Sequence, residues 1–409
     1  MKGPWDDWIP GVLNRPQMEV LCRKNLFQLN VPFDPGFLDE SSIDLHLTEE
    51  AYRMLKGSVK PSRDCTYRDF LDRAELAEKL KPSIDGIYTL EARKTYAFKL
   101  RERLGRQLAD LDIFGQATAK SSVGRVDVLA RLIVDGMDTY ECFNPRALDK
   151  GSPGSGEMYL EVTPITFSVQ VKAGDSLSQL RLFYGDPKHV EVVGPGLYRA
   201  VFGDVGKADG CLNVEVSNTD IGGLSTAAFC AKSESFCAKS MTEACPPIPL
   251  WTLPGQKRGT VDPTKCWGLR ACDDLARLEI QSEEFYILRS KERISVPRGI
   301  AVYCRASDET IGEMRIHYAG FVHPWFGRRR EKGKGTPLIF EVRGHQVKVS
   351  LAHGERMANL TFYRMSEDAP EPDPSPYENQ ELELSKFFAP WPTRLKYREG
   401  VHDGAVEAS

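Results

Sequence analysis

The chain has 409 residues, of which 41% are apolar and 27% are charged. Its 54 basic and 58 acidic side chains give a net charge of −4, which argues against a protein that coats nucleic acid. The composition is ordinary for a globular protein and excludes general disorder, a collagen-like fibre and a coiled coil. The length favours two or three domains.

The sequence indicates neither a membrane span nor an export signal. No run of 18 apolar residues occurs, and such a run is the mark of a transmembrane helix. The first ten residues, MKGPWDDWIP, carry two early acids and no apolar segment. Ten cysteines without a CxxC pair are too sparse for a disulfide scaffold. We therefore expect reduced thiols, no membrane partner and a cytoplasmic location.

Short segments of alternating polarity run along most of the chain. The alternation is clear at residues 43–47, 167–171 and 347–351. Period-two alternation between turn residues predicts antiparallel strands in a sandwich or a barrel. One helix is predicted, over residues 67–80, where apolar residues recur among charges before a proline.

A repeat relates the two halves of the chain. The segment YLEVTPITFSVQVKAGDSLSQLRLF (159–183) aligns without a gap with IFEVRGHQVKVSLAHGERMANLTFY (339–363). Glu161 aligns with Glu341, and most apolar positions match in kind. The repeat predicts two tandem copies of one β-rich domain, with their boundary in the stretch 190–208.

The predicted division is copy one at residues 1–200 and copy two at residues 201–366. Residues 367–409 begin with an acidic, proline-rich stretch. Such a composition is typical of a linker, so this segment is predicted to be a linker and C-terminal tail.

Copy one contains a turn that is suited to bind phosphate, KSSVGR at residues 120–125. Two adjacent hydroxyls behind a lysine can hold phosphate oxygens, helped by backbone N–H groups. The same residues are common where a loop enters a helix and a serine caps it. The motif by itself does not decide between the two.

Glu161 lies within a predicted strand, between Leu160 and Val162. A carboxylate on a strand faces solvent by default, whereas one that faces a cleft is a candidate general base. The recurrence of this residue at Glu341 favours a positional role, although structure alone also accounts for a recurrence.

The ligand pattern of a zinc deaminase is incomplete. His189-Val190-Glu191 satisfies H-x-E, but no P-C-x-x-C partner follows, since Cys245 precedes two prolines. No GxxxxGK[ST] loop occurs, and no Ser/His/Asp or Cys/His order stands out. His323, in FVHPWFG, is by itself more typical of a structural histidine than of a catalyst.

Taken in order, these segments resemble the dCTP deaminase branch of the dUTPase-like superfamily. SSIDLHL, KSSVGR, a strand with LEV and then KAGDSLSQLRLF follow one another as the motifs of that family do. The second half has a similar layout, so the chain resembles the long, two-domain bacterial members between about residues 35 and 390. The resemblance implies a mainly β fold: two tandem dUTPase-like β-barrel or jelly-roll domains with minor helices.

The resemblance also implies roles for the matched residues. Glu161 would move protons as general base and acid, Arg125 would keep it ionised, and Ser121 would orient the water or the intermediate. The expected cofactor is Mg²⁺ held through the triphosphate, with no zinc. The residues that would bind the nucleotide are Lys120, Ser122 and Gln179.

The implied reaction is zinc-independent hydrolysis of dCTP to dUTP and ammonia. The implied partners are dCTP and possibly dTTP or dUTP, with no nucleic acid. A homotrimer is the family expectation, and residues of one site then come from different domains or subunits.

Copy two departs from the family pattern. Its turn reads Arg305-Ala306-Ser307, Thr310 stands at the position of Arg125, and His323 stands where the family has Asp. Copy two is therefore expected not to run the reaction by itself. It would serve as a scaffold or lend walls to the site of copy one.

Two other functions stay open at this point. A dUTPase-like pyrophosphatase, or a bifunctional enzyme, would use an Asp to activate water at phosphorus, and Asp135 and Asp138 are the nearby candidates in copy one. A non-catalytic nucleotide-binding regulator on the same fold is also compatible with the changes in copy two.

Overall fold

The described part of the chain is built mainly from antiparallel strands, as predicted. The structure is a computed structural model. It describes residues 5–63, 65–105, 107–147, 156–203, 209–232, 245–307, 314–316, 320–328, 335–373 and 379–393.

Copy one is built on a sheet in which β8, β10, β6, β3, β12, β7 and β9 are neighbours in that order, with β1, β2 and β4 paired alongside. Its strands are β1 (Gly11–Val12), β2 (Phe27–Leu29), β3 (Ile43–Met54), β4 (Ala77–Lys79), β5 (Ile87–Leu90), β6 (Tyr96–Leu104), β7 (Ile113–Ala119), β8 (Val128–Val134), β9 (Cys142–Phe143), β10 (Glu157–Pro164), β11 (Val169–Lys172) and β12 (Ser176–Tyr184).

Copy two contains two larger sheets, with the orders β18-β16-β20-β24-β22 and β13-β26-β21-β23. The strands after copy one are β13 (Cys211–Asn213), β14 (Thr219–Ile221), β15 (Leu224–Thr226), β16 (Ala228–Ala231), β17 (Ile248–Pro249), β18 (Trp267–Arg270), β19 (Arg277–Ile280), β20 (Phe285–Ile294), β21 (Ile300–Ala306), β22 (Met314–Ile316), β23 (Gly320–Val322), β24 (Thr336–Gly344), β25 (Val349–Ala352) and β26 (Arg356–Arg364).

The strands of the sequence repeat correspond one to one. Strands β11 and β25 have identical bounds after a shift of 180 residues, and so do β12 and β26. Strand β24 begins one residue before the position that corresponds to the start of β10 and ends at the matching residue, and it carries Glu341 where β10 carries Glu161.

The helices are short. They are α1 (Arg15–Arg23), α2 (Tyr67–Leu71), α3 (Gln107–Asp110), α4 (Ser121–Gly124), α5 (Pro195–Phe202) and α6 (Pro263–Cys266). No helix in the described residues is long and apolar enough to cross a membrane.

The helix predicted over residues 67–80 is correct only in its first turn. Helix α2 begins after Thr66, whose side chain forms a capping box with Asp69, and its cap is Asp72. The rest of the predicted helix contains β4, which pairs with the end of β3. The pairing with β3 overrides the helical pattern because it satisfies the backbone groups of β4 within the sheet.

The two copies share an apolar seam. Phe285 and Ile287, on one face of β20, belong to the same buried cluster as the core of copy one. Trp267 lies at the centre of the seam, with its ring centroid 5.5 Å from that of Phe167 and 6.0 Å from that of Phe388. At this seam, copy one covers one face of the β18-β16-β20-β24-β22 sheet of copy two.

In copy one, the equivalent sheet face is covered by its own chain. Tyr159 and Ala97 pack there with Tyr67 and Leu71 of α2 in a separate buried cluster. The segment between β3 and β4, an insertion that contains α2, thus covers this face in copy one. The equivalent face of copy two is covered by copy one.

The C-terminal segment is not a free linker. Leu384, Phe387 and Phe388 are buried in the core of copy one. The backbone N–H of Ala389 donates to the carbonyl of Val261 at 2.9 Å. Residues 379–393 therefore form part of the folded body, which differs from the tail predicted by composition.

Two cysteines are bonded, so the expectation of reduced thiols is wrong for this pair. Cys245 and Cys266 form a disulfide, with their Cα atoms 4.9 Å apart. The fold brings their Cα atoms within the distance that a disulfide needs. This proximity is not visible in the sequence, where the two cysteines are 21 residues apart. The free cysteines among the described residues are Cys22, Cys65, Cys142, Cys211, Cys230, Cys272 and Cys304.

The packing of the C-terminal segment gives a stability prediction. Phe388→Ala removes a fully buried ring from the seam and should lower the free energy of unfolding by about 3–5 kcal/mol. Urea unfolding measures this loss through the midpoint of the transition. The control is Thr393→Ala, at an exposed position, whose free energy of unfolding should change by less than about 0.5 kcal/mol. Equal midpoints for the two variants would show that the segment is not part of the core.

Candidate active site

A cavity of about 340 Å³ is lined by both copies and by the C-terminal segment. Copy one contributes its phosphate turn, residues 120–125, and copy two contributes His323 and Glu341. Gln380 and Lys386 come from the C-terminal segment. A mainly apolar cleft with a few polar groups, where separate parts of a chain meet, is a typical place for a ligand site.

The phosphate turn is held from behind by the C-terminal segment. Arg125 is buried and donates from its guanidinium to the side-chain oxygen of Gln380 at 2.7 Å. The hydroxyl of Ser385 donates to the carbonyl of Ser122 at 2.7 Å. These bonds fix the turn, while Ser121, at the start of α4, stays exposed at the cavity.

Two lysines make this part of the cavity cationic. The Nζ of Lys120 lies 2.5 Å from Oδ2 of Asp44 on β3. Burial lowers the pKa of Lys386, and the charges of Lys120 and Asp44 also act on it, Lys120 to lower it and Asp44 to raise it. An anionic ligand would relieve the repulsion between the two ammonium groups.

Gln179 lies on β12, in the wall beside the turn. Its side-chain oxygen accepts a hydrogen bond from the hydroxyl of Ser42 at 3.2 Å. Five of the six residues assigned from the sequence thus line one cavity; they are Lys120, Ser121, Ser122, Arg125 and Gln179.

The carboxylate of this cavity is Glu341. It lies on β24 and is 5% exposed. Its neighbour across the ladder, on β20, is Ile287, which offers no charge. Burial raises the pKa of Glu341 to about 7, although Arg125 acts in the opposite direction. A carboxyl group with a pKa near 7 can both accept and return a proton at neutral pH.

Glu161 does not line this cavity with Arg125 of its own chain, and the sequence leaves open that the two come from different domains or subunits. Glu161 lies on β10 directly opposite Arg131 of β8, and the two side chains form an ion pair. The hydroxyl of Tyr140 donates to its other oxygen at 3.3 Å. Residues directly opposite on neighbouring strands share a face, so the partner of Glu161 is set by the sheet register.

The surroundings of Glu161 are closed by the insertion after β3. The guanidinium of Arg131 donates to the hydroxyl of Ser58 at 3.1 Å, and the carbonyl of Val59 lies 3.2 Å from the Tyr140 hydroxyl, as a second acceptor for its one proton. Tyr67 of α2 packs on Tyr159, with 5.3 Å between the ring centroids. This carboxylate therefore lies under protein, whereas Glu341 lines a cavity.

His323 has a defined hydrogen-bonding pattern at the cavity wall. The buried Arg181, which only donates, gives a hydrogen bond to the hydroxyl of Ser41 at 3.3 Å. Ser41 is therefore free to donate its proton to Nδ1 of His323, 2.8 Å away. This leaves a neutral ring with its proton on Nε2, 3.5 Å from the carboxylate of Asp39. Burial lowers the pKa of His323, consistent with the neutral form.

The residues considered for other chemistries lie elsewhere. Asp135 accepts from the backbone N–H of Tyr67 at 2.8 Å, and Asp138 pairs with Arg63 at 3.0 Å. Neither lines the cavity, and the same holds for His189 of the H-x-E sequence. The particular residues named for the pyrophosphatase and zinc alternatives thus lie outside the cavity, although Asp39 lines its wall.

Sequence reasoning missed Gln380 and Lys386 because their stretch has the composition of a linker. It noticed Glu341 but assigned the reaction to its equivalent in copy one. The directly comparable strand partners gave no signal, because Ala97 opposite Glu161 and Ile287 opposite Glu341 are both apolar.

Two family models match most of the chain. The N-terminal domain model of the 2'-deoxycytidine 5'-triphosphate deaminase (DCD) family matches residues 9–186, and its C-terminal domain model matches residues 255–388. The chain belongs to the two-domain dCTP deaminase family.

One solved structure similar to this dCTP deaminase is that of 2'-deoxycytidine 5'-triphosphate deaminase from Agrobacterium tumefaciens. It is 26% identical in sequence, with a TM-score of 0.73, over 88% of this chain and 97% of that chain. No curated protein matches the chain. The resemblance read from the sequence is confirmed, and so is the mainly β fold.

The raised pKa of Glu341 predicts a pH-dependent stability. A carboxyl group with a pKa near 7 in the folded protein, against 4.5 ordinarily, weakens the fold progressively as the pH rises between these values. Glu341→Gln should therefore raise the free energy of unfolding at about pH 8 by up to about 3 kcal/mol. The gain should shrink toward about pH 5, as thermal unfolding of both proteins would show. A gain that is equal at both pH values would contradict the raised pKa.

Proposed function

We propose that this dCTP deaminase works without zinc, in the cavity between its two copies, with Glu341 as the group that moves protons. The observation that carries the proposal is a buried carboxyl group, with a pKa raised to about 7, in the same cavity as the phosphate turn. Copy two thus supplies the acid and base, and copy one supplies the residues that bind phosphate.

The reaction needs a base and then an acid. The carboxylate of Glu341 takes a proton from water as the oxygen attacks C4 of the cytosine, and the ring nitrogen N3 gains a proton. The carboxylate then takes the second proton from the C4 hydroxyl of the tetrahedral intermediate and passes it to the amino group, which leaves as ammonia as the C4 carbonyl forms. One carboxyl group serves both steps because it returns the proton that it accepted. The products are dUTP and ammonia.

The cationic side chains of the cavity fit the triphosphate. Lys120, Lys386 and Arg125 provide positive charge, and the hydroxyl groups of Ser121 and Ser122 can donate to phosphate oxygens.

Mg²⁺ would enter with the nucleotide and neutralise charge on the triphosphate oxygens. The cavity fits such an ion, since the carboxylates of Asp39 and Glu40 lie at its wall, within 4.8 Å of each other and of a His323 nitrogen. Hard oxygen ligands of this kind, together with phosphate oxygens and water, are those that Mg²⁺ prefers.

A cytoplasmic location suits this proposal, because deoxynucleotide metabolism takes place there. Recognition of dUTP or dTTP at the same site, and the homotrimer of the family, stay predictions. The cavity itself draws its phosphate-binding turn and its carboxylate from one chain, so it needs no residue from a second subunit for these two parts.

The repeat offers a matched pair of variants to test the assignment. Glu341→Gln should reduce the release of ammonia from dCTP and Mg²⁺ by about 10²–10⁴-fold, because the acid and base are lost. Glu161→Gln changes the equivalent residue of copy one and should keep most of the activity. Both are compared with the unmodified enzyme, with and without a zinc chelator, which should have no effect.

The opposite result would return the role to copy one. Loss of activity in Glu161→Gln together with activity in Glu341→Gln would overturn the assignment. Loss of the unmodified enzyme's activity on addition of the chelator, restored by zinc, would overturn zinc independence.

A further inference from the structure

Beside the cavity, a charged residue of copy one forms an ion pair with a charged residue of copy two. Asp127 follows Arg125 by two residues in copy one, and Arg343 follows Glu341 by two residues on β24 of copy two. Both are buried, with Asp127 fully so. The guanidinium of Arg343 donates to the carboxylate of Asp127.

The pair is embedded in further hydrogen bonds. The hydroxyl of Thr166 accepts from Arg343 and donates to Oδ2 of Asp127 at 2.5 Å. The other arm of the guanidinium donates to the carbonyl of Glu283 at 2.6 Å, and the group lies over the ring of Phe285. Arg343 is thus held by copy two and reaches into copy one.

We propose that Asp127 and Arg343 are a positioning pair for the deamination, which sets Glu341 in register with the phosphate turn and keeps its electrostatic surroundings balanced. This inference rests on the proposed role of Glu341. It concerns two residues that would not touch the substrate, and that act on the reaction through Glu341.

The spacing along the strand carries the positioning part. Alternate residues of a strand point to the same face, so Arg343 and Glu341 both face copy one. A guanidinium held by several acceptors has a fixed direction as well as a fixed position. The bond between Arg343 and Asp127 therefore fixes β24 against the segment that carries Arg125. On each side, the bonded residue is two positions along the chain from a residue of the site.

The charges carry the second part. Among the charged groups around Glu341, Arg125 lowers its pKa and Asp127 raises it. The thiol of Cys304 on β21 also faces it, and burial, together with Glu341, raises the pKa of that thiol to about 12, so it is neutral. Lys120, His323 and Lys386 line the same cavity. Arg343 offsets the charge of Asp127, and the two halves of the pair therefore affect Glu341 in opposite directions.

Opposite shifts give a test that a merely structural role would not pass. Arg343→Met removes the positive charge bonded to Asp127 and should raise the pKa of Glu341 by about one pH unit. Asp127→Asn leaves Arg343 uncompensated and should lower it by about one pH unit. Asn is tolerated at the left-handed φ of 59° that Asp127 adopts. The double variant should return near the unmodified value.

The direct measurement is the titration of the Glu341 carboxyl carbon by NMR in protein labelled with ¹³C at the Glu side chains, assigned by the signal that Glu341→Gln removes. The pH dependence of kcat/KM gives a second reading, since activity should rise with pH through the pKa of Glu341. Its acidic limb should move up for Arg343→Met and down for Asp127→Asn. Arg343→Lys, which keeps the charge, should leave the titration near that of the unmodified protein.

Shifts in the same direction, or none, in the two single variants would overturn the inference. If Arg343→Met does not fold, the double variant, which removes both charges together, takes its place. Asp127→Asn alone still tests the sign of the shift in the pKa of Glu341. The NMR titration does not depend on activity. An enzyme without dCTP deamination but with opposite shifts would refute the proposed function and leave the electrostatic coupling standing.

Discussion

The site depends on which part of the chain covers one face of the copy-two sheet β18-β16-β20-β24-β22. Phe285 and Ile287 lie on that face of β20, and apolar side chains on a sheet face must be buried against another layer. Copy one provides the cover through Phe167 and, with the C-terminal segment, through Phe388. Because Glu341 is on the same face, the packing that buries the aromatic rings also brings this carboxylate against the phosphate turn.

The two copies have thus diverged in complementary ways. In copy one, the insertion with α2 covers the equivalent face, and Glu161 is neutralised by Arg131 across the strand pair. In copy two, the phosphate turn has lost its residues, but the carboxylate faces a cavity. On the proposed assignment, the described residues of one chain build one such site, where the turn of copy one meets the carboxylate of copy two.

Much of this was readable from the sequence. The period-two strands and the repeat of 180 residues depend on local patterns, and the structure reproduces them in β10–β12 and β24–β26. The phosphate turn was found because its residues are adjacent in the chain. The choice between Glu161 and Glu341 was not readable, because it depends on which surface each copy covers. The disulfide, the short α2 and the packed C-terminal segment depend likewise on contacts between residues that are distant in sequence.

The central claim is that one chain supplies both halves of the site. Two variants that should each be inactive, Arg125→Ala and Glu341→Gln, test it when they are unfolded together, refolded as a mixture and assayed for release of ammonia from dCTP. If the turn and the carboxylate belong to the same chain, the mixture stays as inactive as either variant alone. If the site is shared between chains, mixed assemblies contain some sites with both residues intact, and recovery of activity toward a quarter of that of the refolded unmodified enzyme would contradict the account.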